Sequence, residues 1–172
     1  MPAWAERKDA SETRADRMAE FALGLEPWDI PASAMERAAL QALDTFGICA
    51  AATPMEAAVI ARRATLRLYG ARDSADACPM LFDGREVSLA GAVHAAATQI
   101  DNLDGHDGYN PTKGHIGVVA VPTLAVLARS RPDLSGPAAL AALIVGYELA
   151  GRAGMTLHAT VVKVEHTRRP DH

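Results

Sequence analysis

Small apolar side chains return at helical spacing along most of this chain. Met35, Ala38, Ala39, Ala42, Phe46 and Cys49 fall on one face of a predicted helix over 33–51, with Glu36 and Arg37 turned to water. Leu89, Ala92, Val93, Ala96 and Ile100 form the same kind of stripe in a helix that Ser88 caps and that runs to about Gln99. Apolar residues make up 49% of the chain and aromatics only 5%, the difference being mostly alanine, valine and leucine. Side chains this small let helices approach closely, whereas a β-sandwich would draw on more aromatic and β-branched residues. The expectation is an all-α helical bundle with at most a short hairpin near 78–87.

Punctuation marks place the other elements. A first helix is expected over about 5–23, ending at Gly24, followed by an extended Glu26–Pro31 with its two prolines. Thr53-Pro54 reads as N-cap and first helical residue of a third helix reaching about Tyr69 and closing at Gly70. Within 71–87, Cys78–Phe82 is a short apolar run and Asp83-Gly84 a turn pair before Glu86-Val87, which fits a small hairpin or an irregular loop equally well. A fifth helix is expected after Gly117 and a break at Pro122, reaching Arg129. A sixth starts at Ser135-Gly136-Pro137 and ends near Ala153. The helical domain is taken as 1–160. The residues after it, VVKVEHTRRPDH, start like a strand and continue as a charged tail over 161–172.

Several function classes find no support. A net charge of −4 without a basic cluster offers nucleic acid no electrostatic footprint. Cys49 and Cys78 form no CxxC pair and read as two inert, reduced thiols. The charged N-terminus lacks the apolar core of a signal peptide, and the apolar run Ile116–Ala128 is too short to span a bilayer. A cytoplasmic protein with no membrane and no nucleic-acid partner is expected.

Chemistry concentrates in Gln99–Val119, QIDNLDGHDGYNPTKGHIGVV, where acids, histidines, a tyrosine, a lysine and four glycines interrupt alanine-rich helices. Asp101, Asp104, His106 and Asp107 could hold a metal ion, but Leu103 spoils a calcium loop and no HExxH pair occurs. Lys113 is followed by glycine and lacks the phosphate-loop spacing, and neither GxGxxG nor GxSxG is present. Acid–base chemistry without metal or cofactor on a small polar substrate remains. Proton abstraction beside a carboxylate needs a base, an acid and a cation. His106 or His115 could serve as base or acid, Lys113 could hold a carboxylate, Tyr109 could donate a proton and Asp101 could orient an imidazole. Gly114 and Gly117 would let the backbone approach a ligand, and the start of the fifth helix would favour an anion. Asp104 and Asp107 read equally well as turn formers, and His94 as a packed or surface histidine. Tyr147 and Glu148 could pack helices or project a phenol into a cleft, and Arg152 pairs with Glu148 at i,i+4.

Taken in order, these residues resemble the MmgE/PrpD family, which includes methylcitrate dehydratase, cis-aconitate decarboxylase and iminodisuccinate epimerase. The resemblance rests on Ile30-Pro31 and Leu43-Asp44-Thr45-Phe46-Gly47, the acidic segment Asp101–Asp104, and His115-Ile116-Gly117. It continues through Pro122-Thr123-Leu124-Ala125 and Gly146-Tyr147-Glu148 with Arg152 and Gly154. It implies a mostly helical domain, a homodimer, and cofactor-independent lyase or isomerase chemistry on small di- or tricarboxylates. Asp101 and His115 would line the active site, with Lys113, Tyr147 and His106 as helpers. Asn102-Leu103 and the Lys-Gly-His-Ile-Gly run look closer to the epimerase-like branch than to the usual His-Pro-Gly form. Family members are more than twice as long and carry a second α+β domain. The chain therefore reads as a truncated member or N-terminal fragment whose cleft lacks one wall.

Overall fold

The computed structural model describes residues 13–167. Six α-helices are described: α1 (Arg14–Gly24), α2 (Ala32–Ala51), α3 (Glu56–Leu68), α4 (Leu89–Leu103), α5 (Gly117–Arg129) and α6 (Gly136–Thr167). The sheet among the described residues is one antiparallel hairpin, β1 (Ala77–Pro79) with β2 (Glu86–Ser88), pairing Cys78 with Val87. The helical bundle with a single short hairpin agrees with the periodicity, and Gly84 takes the positive φ its turn requires.

α4 is the axis of the bundle, touching α2, α3, α5 and both strands. Its small residues make this possible. A Cβ added at Gly91 would stand 2.7 Å from the Tyr69 Cβ, so α3 and α4 pack closely only because position 91 has no side chain. Val87, Ala92, Ala95 and Val126 are buried under the hairpin, and Cys49, Ala96 and Ile100 join α2 to α4. Ala38, Val121 and Leu143 join α2, α5 and α6. A polar knot runs through this core. Arg62, 6% exposed, donates from Nη1 to the Gln99 side-chain oxygen and from Nη2 to the Thr53 carbonyl (2.9 Å), with its Nε 3.1 Å from Asp83.

Several boundaries differ from expectation. α1 starts at Arg14, set by a reciprocal box in which the Asp16 N–H donates to Thr13 Oγ1 (3.2 Å) and the Thr13 N–H to Asp16 (2.9 Å). Positions 5–12 of the predicted helix lie outside the described residues. Pro27–Asp29 form a 3-10 turn within the segment expected to be extended, closed by the Glu26 N–H on the Asp29 carboxylate (3.2 Å). Thr53 does not cap α3. Its hydroxyl donates back to the Cys49 carbonyl (3.3 Å) and accepts from Gln99 (3.2 Å), so the helix starts only at Glu56. Ala39 is exposed rather than part of the α2 stripe. Pro122 lies inside α5, buried, without ending it.

The largest departure is α6, which passes Ala153 and runs as helix through Val161 to Thr167, where a β-like start was expected. Gly151 and Gly154 are packing positions: Tyr109 and Thr112 lie over them, and a Cβ at 154 would meet Thr112 at 2.7 Å. Residues 168–172 of the expected tail lie outside the described residues. Because α6 is longer than expected, its stretch Gly136–Val161 has the length and composition to cross a bilayer, with a mean hydropathy of 1.2.

Candidate functional site

The loop between α4 and α5 is assembled from both ends. α4 carries Asp101 in its last turn and ends at Asp104, which adopts the left-handed conformation (φ 53°) and stays exposed, a turn former as one reading had it. The chain then turns inward, so that the His106 side chain is fully buried (0% exposed). Its Nε2 lies 3.8 Å from Asp101 Oδ1, whose carboxylate is 66% exposed. Neither ring nitrogen of His106 has a hydrogen-bond partner among the described residues. The His106 and His115 ring centroids lie 4.2 Å apart with their planes tilted by 49°. Asp101, His106 and His115 thus form a row running from solvent to interior and back.

His115 is fixed by a hydrogen bond between its Nδ1 and the Asp107 carbonyl. A carbonyl oxygen only accepts, so Nδ1 carries the proton and the neutral ring keeps its lone pair on Nε2. The ring is exposed and lines a cavity of about 590 Å³ between α5 and α6, with Thr112, Gly114, Val119, Leu124 and Leu143 in its wall.

Asp107 is no solvated turn residue. Its carboxylate accepts the Gly117 N–H at 3.0 and 3.2 Å and caps α5, whose own N-cap position is the apolar Ile116. The anion expected at the start of the fifth helix is therefore a side chain of the protein itself. The close approach expected at Gly117 is likewise internal: a Cβ there would stand 2.3 Å from the Tyr147 hydroxyl and 2.4 Å from Asp107 Oδ1. The Tyr147 hydroxyl is buried without a hydrogen-bond partner among the described residues. Burial raises its pKa above the ordinary phenol value, and the adjacent Asp107 charge raises it further. Asp107, Tyr109, Tyr147, Glu148 and Arg152 line a second cavity of about 480 Å³.

The predicted site residues thus fall into three places. Asp101 reaches His115 only through His106. Tyr147 sits with Asp107 on the α6 side, behind Gly117. Lys113 joins neither group: it occupies a left-handed position (φ 52°), donates from Nζ to Asn110 Oδ1 (3.1 Å) and lines neither cavity. Arg152 makes the expected i,i+4 pair with Glu148 at 2.8 Å. His94 is a surface histidine stacked on Tyr69. Among the described residues no three His, Cys, Asp or Glu side chains gather as a metal-ligand group. Sequence reasoning undervalued Asp107. The missing polar residue at the α5 N-cap was the available sign that a cap had to come from elsewhere.

The sequence model of the MmgE/PrpD N-terminal domain matches residues 16–168, nearly the whole chain. No curated protein and no solved structure matches it.

Proposed function

We propose, since this chain belongs to the MmgE/PrpD family through its N-terminal domain, that its α4–α5 loop is the acid–base wall of a cofactor-independent lyase or isomerase site for small di- or tricarboxylates. The observation that carries this reading is the state of His115. The ring is held at Nδ1 by a backbone carbonyl, which leaves Nε2 unprotonated, and it lines a cavity. That is the arrangement a general base needs. His115 Nε2 would take the proton from the carbon next to a substrate carboxylate, leaving the electron pair as an enediolate. Return of a proton to the opposite face epimerises the substrate. Expulsion of a β-hydroxyl, which leaves as water once protonated, dehydrates it. The Asp101 carboxylate, 3.8 Å from His106, whose ring lies against that of His115, would offset positive charge that develops on the imidazole pair. The opposite wall of the cleft would come from a second domain of the family fold.

The test is proton exchange in deuterated water, followed by NMR across a panel of C4–C6 di- and tricarboxylates, with His115→Gln and Asp101→Asn beside the parent chain. Exchange with at least one substrate is expected. It should fall by about 100-fold or more in His115→Gln, the range over which a positioned base contributes, and by less in Asp101→Asn. Exchange that persists undiminished in His115→Gln removes this reading.

A second reading, a helical dimerisation domain without turnover, draws on one observation. Leu40 and Leu43, adjacent on the outer face of α2, are 61% and 69% exposed. Light scattering should then report a homodimer that Leu43→Lys converts to monomer. A monomeric parent chain excludes it.

A further inference from the structure

The loop from Asp107 to Gly117 is a closed unit, and one residue closes it twice. Inside, the Tyr109 N–H donates to the Gly114 carbonyl (2.9 Å), and the Thr112 N–H and hydroxyl both donate to the Tyr109 carbonyl (3.0 and 2.9 Å). Its outer edge rests on α6, where Thr112 and Tyr109 lie over Gly154 and Gly151. At its base stand two tethers, both from Asp107. The carboxylate accepts the Gly117 N–H, and the carbonyl accepts the His115 Nδ1 proton. The first tether fixes the position of the second. Short loops whose ends are pinned hold side chains that a loose loop would let rotate.

We propose that Asp107 is the positioning residue of this site: its carboxylate, by locking onto the Gly117 N–H, holds its own carbonyl where it claims the His115 Nδ1 proton and leaves Nε2 as the acceptor of a ring that lines the cavity. Any residue at 107 supplies a carbonyl, but only a short side-chain acceptor can reach the first amide of α5 from there. Asp104 cannot substitute, being exposed in a left-handed cap three residues away. Asp101 addresses His106 rather than His115. The proposal rests on the reading of His115 as the base, but its geometry is testable without turnover.

The experiment is long-range ¹H–¹⁵N NMR of the imidazoles in ¹⁵N-histidine-labelled chain at a pH where His115 is neutral. His115 is assigned among the six histidines by its loss in His115→Gln. The variants are Asp107→Ala, Asp107→Asn and Ser88→Ala. The last removes an unrelated helix cap, since Ser88 accepts the Gly91 N–H at 3.2 Å, and so reproduces a loss of stability without touching the loop. The parent chain, Asp107→Asn and Ser88→Ala should all show the Nδ1–H form of His115, because an asparagine oxygen also caps Gly117. Asp107→Ala should shift toward the Nε2–H form that free histidine prefers. Retention of the Nδ1–H form in Asp107→Ala overturns the proposal. So does its loss in Ser88→Ala, which would make the effect one of general stability. If the parent chain shows no proton exchange, the catalytic reading fails while these spectra still decide the positioning.

Discussion

An Arg62→Met chain is expected to lose about 4 kcal/mol of stability, the range for removing one partner of a buried charge pair. Methionine keeps the apolar stem as far as the Nε position and removes the guanidinium, so the cost is chiefly one of unmet polar groups. Two acceptors lose a donor at once, and a carboxylate loses a neighbouring positive charge. Gln99 Oε1 lies within the core, the Thr53 carbonyl is half-buried, and Asp83, with a side chain 11% exposed, keeps only Arg85. The guanidinium spans α3, the α2–α3 turn, α4 and the hairpin, so no single neighbour can move to repair the gap. At roughly 2–4 °C per kcal/mol for a chain of this size, the thermal midpoint should fall by about 10 °C. Urea unfolding is the direct measurement. Adding Gln99→Leu should recover part of the loss, because removing both partners of a buried hydrogen bond costs less than removing one. A single variant that loses under 1 kcal/mol would mean that Arg62 does not anchor the core.

The same knot explains where the sequence was legible and where it was not. α2 and α4 were readable because burial of an apolar stripe against neighbours imposes a period of 3.6, and the period survives in the letters. The hairpin was readable because Asp83-Gly84 states its turn locally. The start of α3 was not, because Thr53 carries a helix-start signature that a distant residue overrides: Gln99, 46 positions on, donates to its hydroxyl. α6 was cut short for a related reason. The letters from Val161 on show a β-like start and no apolar face, while Gly151 and Gly154 are flat places on which a loop from another part of the chain sits. In the candidate site, the apposition of Asp101, His106 and His115 followed from their crowding into one segment. The division between His115 on one side and Asp107 with Tyr147 on the other did not, since Tyr147 comes from α6 and no local pattern records which way a loop folds over it. Lys113 drops out of the group for a backbone reason, its left-handed conformation beside Asn110.

Gly117 is where fold and site meet, and Gly117→Ala should separate them. The atoms that a new Cβ would strike, the Tyr147 hydroxyl at 2.3 Å and Asp107 Oδ1 at 2.4 Å, are the ends of side chains. They can give way, so the helices should persist at a cost of about 1–2 kcal/mol, the low end for overpacking a filled site. Giving way, however, pulls the Asp107 carboxylate off the α5 amide and pushes the phenol toward water. Two consequences follow in solution. The Tyr147 pKa, which burial and the Asp107 charge hold above the ordinary phenol value, should fall toward that value, seen as phenolate absorbance developing at lower pH than in the parent chain. On the sign of linkage, a phenol raised in the folded state stabilises the fold below its unfolded pKa. That stability is lost as pH rises through the folded pKa. The variant should therefore lose less stability than the parent on going to strongly alkaline pH. At His115, a shift of about 1 Å in the ring that faces the cavity can cost on the order of 100-fold in rate. Proton exchange should drop by that factor while circular dichroism stays helical. A variant with unchanged exchange and unchanged tyrosine titration would show that Gly117 serves helix packing alone and that Asp107 and Tyr147 have no bearing on the histidine.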